Sequence, residues 1–283
     1  MTVRQIKLDD IEKTVEKLCI KANIVLREDV LGALNEAFNK EKEGSISGRM
    51  IKILLENAAL AENESIPLCQ DTGMVGVFFE IGEDITIDGK GIKDAINRGV
   101  EKAYKDNFFR KSVVADPILR DNTGTNTPVV IHMDIVKGDK LKIYVMLKGF
   151  GSENKNRIKM MNPTCTTDEI VKFCVDVVKK AGSDACPPYI IGVGLGGTME
   201  TCAYMSKKAL LKPISEENPK LHIAELEKKI KKSISELNIG IMGLGGGSTV
   251  LGVNVMEAPT HIAGCPVAVN ISCHALRSAS AEL

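Results

Sequence analysis

The sequence contains no tryptophan, and aromatic residues fill only 4% of its 283 positions. Stacking platforms for nucleobases are therefore not expected. Neither sign of charge is in excess, since 37 basic residues balance 37 acidic ones. A binder of phosphate backbones normally carries a basic excess or stripe, so nucleic acid is not an expected partner. No apolar run approaches the roughly 20 residues of a membrane-spanning helix. The start, "MTVRQIKLDDIEKTVEK", is polar and charged, and reads as neither a signal nor a transit peptide. A soluble, cytoplasmic protein is expected, with no membrane partner.

Paired cysteine motifs are also missing. Eight cysteines are present, at 19, 69, 165, 174, 186, 202, 265 and 273, and none forms a C-x-x-C pair. That argues against zinc ribbons and thioredoxin-like sites. In a cytosolic chain of this size they are expected as thiols, not as a disulfide framework.

What is there is a sizeable core: 44% of the residues are hydrophobic. Apolar residues recur at helical spacing at Ile11, Val15, Leu18, Cys19 and Ala22. Further helices are expected over 28–39, from 45 or 47 through Met50, Ile53, Leu54 and Ala58, and over 91–107. Thr166 and Glu169 have capping-box spacing, and Gly182 suits the stop of the helix they open. Residues 215–237 read as an amphipathic helical surface. "MVGVFFEIG" (74–82), "YIIGVGLGG" (189–197) and "CPVAVNISC" (265–273) read as strands. "TPVVIHMDIV" and "KLKIYVMLKG" flank "KGDK", a hairpin signal. Both "YIIGVGLGG" and "NIGIMGLGGGSTVLGVNV" read as strands running into glycines. The alternation of elements gives a mixed α/β class. No linker divides the chain, so one domain over 1–283 is expected. "VGLGGT" and "MGLGGG" echo each other weakly, which hints at two similar lobes.

Three glycine loops, at 148–154, 192–198 and 242–249, would let backbone N–H groups face an anion. A dinucleotide fold would need an acidic residue at the next strand end, about 20 residues on. Glu216 and Glu217 fall instead in a charged segment flanked by prolines. No P-loop lysine follows the glycines. A small carboxylate substrate is the better functional reading, with packing and turns the reading for at least one loop.

Cys19, Cys174 and Cys202 fall on apolar helical faces and read as core thiols. Cys165 reads as loop surface. Cys69, Cys186, Cys265 and Cys273 lie outside clear helical faces. Cys69 heads the polar run Gln70, Asp71, Thr72; Cys186 precedes two prolines; Cys273 sits at a strand end beside His274 and Arg277. Any one of them alone reads as a packed thiol. Taken together, Cys69, Cys186 and Cys273 point to a shared thiolate site, and soft thiolates select iron–sulfur or zinc. Three protein ligands leave one metal position open, as in catalytic sites.

The stretches "PLCQDTGMVGVF", "DNTGTNTPVVIHMDIVKGD", "KGFGSENKN", "DACPPYIIGVGLGGTMET" and "EAPTHIAGCPVAVNISCHALR" resemble the iron–sulfur hydro-lyases of the class I fumarase and tartrate dehydratase family. The resemblance runs over nearly the whole chain from about residue 8, and is narrower still to the separate alpha subunit of a two-subunit enzyme. It implies the N-terminal-domain fold of class I fumarases, with mixed sheets and surrounding helices. It implies a 4Fe–4S cluster on Cys69, Cys186 and Cys273, with one iron not bound by protein; Cys265 ranks behind these three. Gln70 and Asp71 would hydrogen-bond the substrate, Arg110 would clamp a carboxylate, and the backbone N–H of Gly151 would meet the substrate. His261 would act on substrate protonation, with Thr260 able to orient its ring. His132, in a strand pattern, reads as core, and His222 and His274 carry no assignment.

The implied reaction is the reversible hydration of fumarate to malate, within the tricarboxylic acid cycle. Single-chain relatives carry a further C-terminal domain with more substrate-binding groups and a proposed threonine base. The chain stops at Leu283, so a separate beta subunit is expected to complete the site, in a heterotetramer. Two alternatives stay open: a hydro-lyase for L-tartrate or a methylated dicarboxylate, and an iron–sulfur protein of electron transfer or sensing. The latter would normally use four cysteines per cluster, which would bring in Cys265.

Overall fold

A computed structural model describes residues 4–283. Its elements run β1 (Arg4–Lys7), α1 (Leu8–Ile24), α2 (Glu28–Lys40), α3 (Ile46–Glu64), β2 (Met74–Gly82), β3 (Ile85–Asp88), α4 (Ile92–Asp106), β4 (Val130–Val136) and β5 (Leu141–Lys148). They continue with α5 (Phe150–Glu153), β6 (Arg157–Met161), α6 (Thr167–Ala181), β7 (Tyr189–Gly196), α7 (Met199–Lys208), α8 (Leu221–Ser235), β8 (Val250–Ala258), β9 (Cys265–Ser272) and β10 (Arg277–Glu282). This is the α/β class that the alternation of elements predicts, with the mixed sheets that the resemblance implies. None of the described helices is long and apolar enough to cross a membrane.

The chain divides into two compact units. The first comprises Met1–Arg27, Ala58–Phe150 and Arg277–Leu283. Its main sheet has the order β10-β5-β2-β4. Strand β2 is antiparallel to β5 and parallel to β4. Helix α1 presents Ile11, Val15, Leu18 and Cys19 to a core that includes Val75, Val77 and Phe79 of β2 and Val100 and Tyr104 of α4. A short parallel pair, β1 with β3, joins this unit.

The hairpin expected around "KGDK" is not formed. Strands β4 and β5 both exist, but β2 lies between them. The connection between them packs instead against the end of β2. Gly82 ends β2, and a Cβ there would stand 2.2 Å from the carbonyl oxygen of Gly138. Lacking one, β2 runs beneath the connection, and Glu83 N–H and Asp84 N–H bond to the carbonyls of Val136 and Gly138. His132, expected in the core, is instead half-buried on the edge strand β4, with its ring stacked on Phe78 at 4.9 Å.

The second unit comprises Glu28–Asn57 and Gly151–Leu276, with a sheet of order β6-β9-β7-β8. Helices α6 and α8 pack on one face, where Cys174, Val177, Ile230 and Ile234 meet Ile191, Val193, Val267 and Val269. The expected capping box opens α6: Thr166 Oγ1 accepts from the Glu169 N–H, and the Glu169 carboxylate accepts from the Thr166 N–H. Along a strand, alternate residues share a face. Gly192 and Gly194 therefore face together, and a Cβ on them would stand 2.1 Å from Ser206 O and 2.0 Å from Cys202 O. These glycines seat α7 against the sheet, which is their packing role.

Some expectations need correcting. In "NIGIMGLGGGSTVLGVNV" the glycines come first and the strand β8 follows, rather than a strand running into glycines. The helical surface expected from 215 begins only at Leu221. Strands β1, β3, β6 and β10 had no sequence prediction: the first two are four-residue strands, and β10, "RSASAE", is nearly free of large apolar residues.

Candidate functional site

The polar run after Cys69 is a strapped loop of the first unit. The Leu68 N–H donates to the carbonyl of Asn23 at 2.8 Å. The Tyr104 hydroxyl donates to Thr72 O at 2.6 Å, and Asn126 Nδ2 to Gly73 O at 3.2 Å. Tyr104 and Asn126 are fully buried, so these bonds hold the loop from the protein side. Burial also pushes the Tyr104 phenol well above its ordinary range, which keeps it a neutral donor. Thr72 Oγ1 donates to the carbonyl of Arg110 at 2.6 Å and so brings the segment carrying Arg110 to the same loop.

Asp71 is held at both oxygens. Oδ1 accepts from the Gly73 N–H and Oδ2 from the Phe150 N–H, each at 2.9 Å. Gln70 and Arg110 are exposed, and Cys69 is half-buried. The first unit thus brings together Cys69, Gln70, Asp71 and Arg110, on a loop whose backbone is fixed from beneath. Such support is what a binding constellation requires.

In the second unit, Cys186 and Cys273 come together. The carbonyl of Cys186 accepts from the backbone N–H of His274 at 3.4 Å and faces His274 Nδ1 at 3.1 Å. Cys186 is exposed and holds φ +54, ahead of Pro187 and Pro188. A residue with a Cβ rarely adopts this left-handed conformation, and such outliers concentrate at functional sites. Gly151 lies beside the same turn, its missing Cβ 3.8 Å from the carbonyl of Asp184. His261 is exposed in a separate turn, where its Nδ1 accepts from the Ala263 N–H at 3.2 Å. Thr260 does not orient that ring: its hydroxyl donates to the carbonyl of Gly197 at 3.0 Å.

The eight cysteines, all thiols, sort by environment. Cys19, Cys174 and Cys202 are fully buried, and desolvation pushes each thiol up, Cys174 to about 12 and Cys202 to about 11. Cys265 is also pushed up to about 11, by desolvation and by its hydrogen bond with Cys165. Those five are engaged in packing or with one another. Five cysteines escape full burial on loops and strand ends; Cys165 and Cys265 hydrogen-bond each other, and the other three are Cys69, Cys186 and Cys273. Cys69 in the first unit, and Cys186 and Cys273 in the second, are thiols of the kind that the soft metal of an iron–sulfur group takes. Among the described residues, no three His, Cys, Asp or Glu side chains lie at the spacing of a single metal ion.

Over residues 12–282 the chain matches the family model for fumarate hydratase (Fumerase). The chain belongs to the class I fumarate hydratase family. Members with curated names include a Methanocaldococcus jannaschii protein provisionally named L(+)-tartrate dehydratase subunit alpha. It is 39% identical over 275 residues, covering 95% of this chain and 96% of its own length. The L(+)-tartrate dehydratase subunit alpha of Escherichia coli strain K12 is 32% identical over 254 residues, covering 88% of this chain and 83% of its own. The same figures hold for the protein of that name from Escherichia coli O157:H7.

The sequence reading passed over Tyr104, Asn126 and Asn23 beneath the loop. It also left Arg277, Gly149 and His274 without a role. Asn126 had a readable signal, an asparagine between two threonines ahead of a proline. The others act through contacts distant in sequence, and no spacing announces them.

Proposed function

We propose that this chain is the alpha subunit of an iron–sulfur hydro-lyase acting on a four-carbon dicarboxylate. The observation that carries the proposal is the sorting of the thiols. Of the five thiols that escape full burial, Cys165 and Cys265 are engaged with each other, and the other three, Cys69, Cys186 and Cys273, are those named by the motif resemblance. In this proposal they hold a 4Fe–4S cluster. When bound, the cluster would supply Lewis acidity at an iron that no thiolate occupies.

The chain's own residues then bind and orient the substrate. Gln70 offers an amide donor and acceptor, and Asp71 an acceptor already fixed by two backbone N–H groups. Arg110 presents a planar fork that matches a carboxylate bidentately. The backbone N–H of Gly151 donates to a substrate oxygen. His261, its Nδ1 engaged by Ala263 N–H, presents Nε2 for proton exchange with the substrate. The word "subunit" in the relatives' names supports a beta subunit that contributes the remaining groups, in a heterotetramer.

The relatives' names favour L(+)-tartrate as the substrate, the reading that the sequence placed second to fumarate. Fumarate remains the second reading, favoured by the family description itself. The deciding experiment is a comparison of kcat/KM for L(+)-tartrate dehydration and fumarate hydration by the anaerobically loaded chain with its partner. A larger value for tartrate carries the first reading; a larger value for fumarate replaces it with the second. Turnover of neither by the iron-loaded complex contradicts the hydro-lyase proposal. An iron–sulfur protein of electron transfer would be left.

A further inference from the structure

Arg277 opens β10 opposite Leu147 and is 2% exposed. Its Nε and Nη1 are buried and have no hydrogen-bond partner among the described residues. A buried guanidinium without compensation is strongly unfavourable, so something must balance it. The compensating group stands across Gly149. A Cβ on Gly149 would lie 3.1 Å from Asp71 Oδ2 and 3.3 Å from Arg277 Nη2, and its third neighbour would be Asp71 Cγ. The acid and the base thus converge on one face of a residue that has no side chain.

We infer that Arg277 is a positioning residue for Asp71, acting through charge across Gly149. Both Asp71 oxygens already accept backbone N–H groups. The guanidinium therefore need not bond to the carboxylate. It supplies a positive charge fixed in a buried position, across Gly149 from a half-buried carboxylate, and such a field acts more strongly than in solvent. Gly149 is the device that permits it. Its φ is not left-handed, so an alanine there fits the backbone, and the nearest atoms its methyl would meet belong to these two side chains. The inference rests on the reading of Asp71 as a substrate-binding group, and deepens it.

A double-mutant cycle tests it. Arg277→Met, Asp71→Asn and the pair are compared in the iron-loaded complex with its partner subunit, with iron per chain as a control. Arg277→Met is expected to lower kcat by about tenfold or more with a smaller change in KM, because an interaction realised in the transition state is lost. In the Asp71→Asn background the same change is expected to cost less than about twofold, since coupled residues are non-additive. Arg277→Lys, which keeps the charge, is expected to recover part of the loss. Gly149→Ala gives an independent arm should Arg277→Met fail to fold: it is expected to lower kcat in the wild-type background and not in Asp71→Asn. Equal losses in both backgrounds, or no loss in either, overturn the inference. Failure of the wild-type complex to turn over a dicarboxylate is a different result, and overturns the hydro-lyase reading. In that event the cycle is read in the unfolding midpoint of the full chain: additive shifts overturn the inference, and non-additive shifts support it.

Discussion

The backbone N–H and the ring Nδ1 of His274 meet a single oxygen, the carbonyl of Cys186, at 3.4 and 3.1 Å. A carbonyl only accepts, so Nδ1 carries the proton and the ring is held in that tautomer. This double contact ties the turn of Cys186 to the strand end that carries Cys273. His274→Asn places an amide donor near the position of Nδ1 and is expected to keep the tie. His274→Leu removes the donor and is expected to destabilise the chain by about 1 kcal/mol. It is also expected to shorten the lifetime of bound iron in air. Thermal unfolding and iron counting against time check both outcomes. Equal iron lifetimes for the leucine and asparagine variants would remove the positioning role.

Thiol reactivity should follow the sorting of the cysteines. The thiolate is the nucleophile, so a thiol pushed up in pKa reacts slowly. Iodoacetamide at pH 8 is expected to label Cys186 first in the folded, iron-free chain. Cys19, Cys174 and Cys202 should stay unlabelled until the chain unfolds, because burial both shields them and raises their pKa. Raising the pH to 9 still leaves Cys174, at about 12, protonated. Peptide mapping reads the order directly, and early labelling of Cys174 or Cys202 would contradict it.

Tyr104→Phe removes the donor to Thr72 O and leaves a buried carbonyl to find another partner. The expected loss is about 1–3 kcal/mol, the range for a buried acceptor left unsatisfied. Hydrogen exchange should rise in the 68–73 loop and not at α6 or α8. Faster exchange throughout would indicate global destabilisation instead.

Gly194→Ala would place a methyl 2.0 Å from the carbonyl of Cys202. The helix α7 must shift away from β7, at a cost of about 1–3 kcal/mol or more for overpacking. An anion-binding role for this glycine run would show instead as weakened nucleotide or phosphate binding at unchanged stability. The expected result is the reverse, read by thermal unfolding and by equilibrium binding of ATP and phosphate.

Much of this fold was legible in the sequence. Helices with a periodic apolar face, such as α1 and α6, stand where Ile11, Val15 and Leu18, or Thr166, Glu169 and Gly182, place them. Local chemistry decides such elements. Strand pairing was not legible, because it depends on which distant strand wins. Leu141–Lys148 looked ready to pair with Val130–Val136, but both pair with β2. The polar loop at Cys69 and the strand end at Cys273 stood out in the sequence as candidates, and the proposed function rests on them. The groups that hold these loops did not stand out. Tyr104 and Asn23 reach Thr72 and Leu68 from helices with no role at the loop legible in the sequence, and Arg277 and Asp71 converge on the face of Gly149 that has no side chain.

The central claim is that Cys69, Cys186 and Cys273 hold one iron–sulfur cluster, and that Cys265 does not. It is tested most directly by counting iron and sulfide per chain after anaerobic reconstitution with the partner subunit, for the wild type and for each of the four Cys→Ser variants. The account predicts about four irons in the wild type and in Cys265→Ser, and loss of the cluster in each of the other three. Retention of the cluster in any of those three, or its loss in Cys265→Ser, would contradict it.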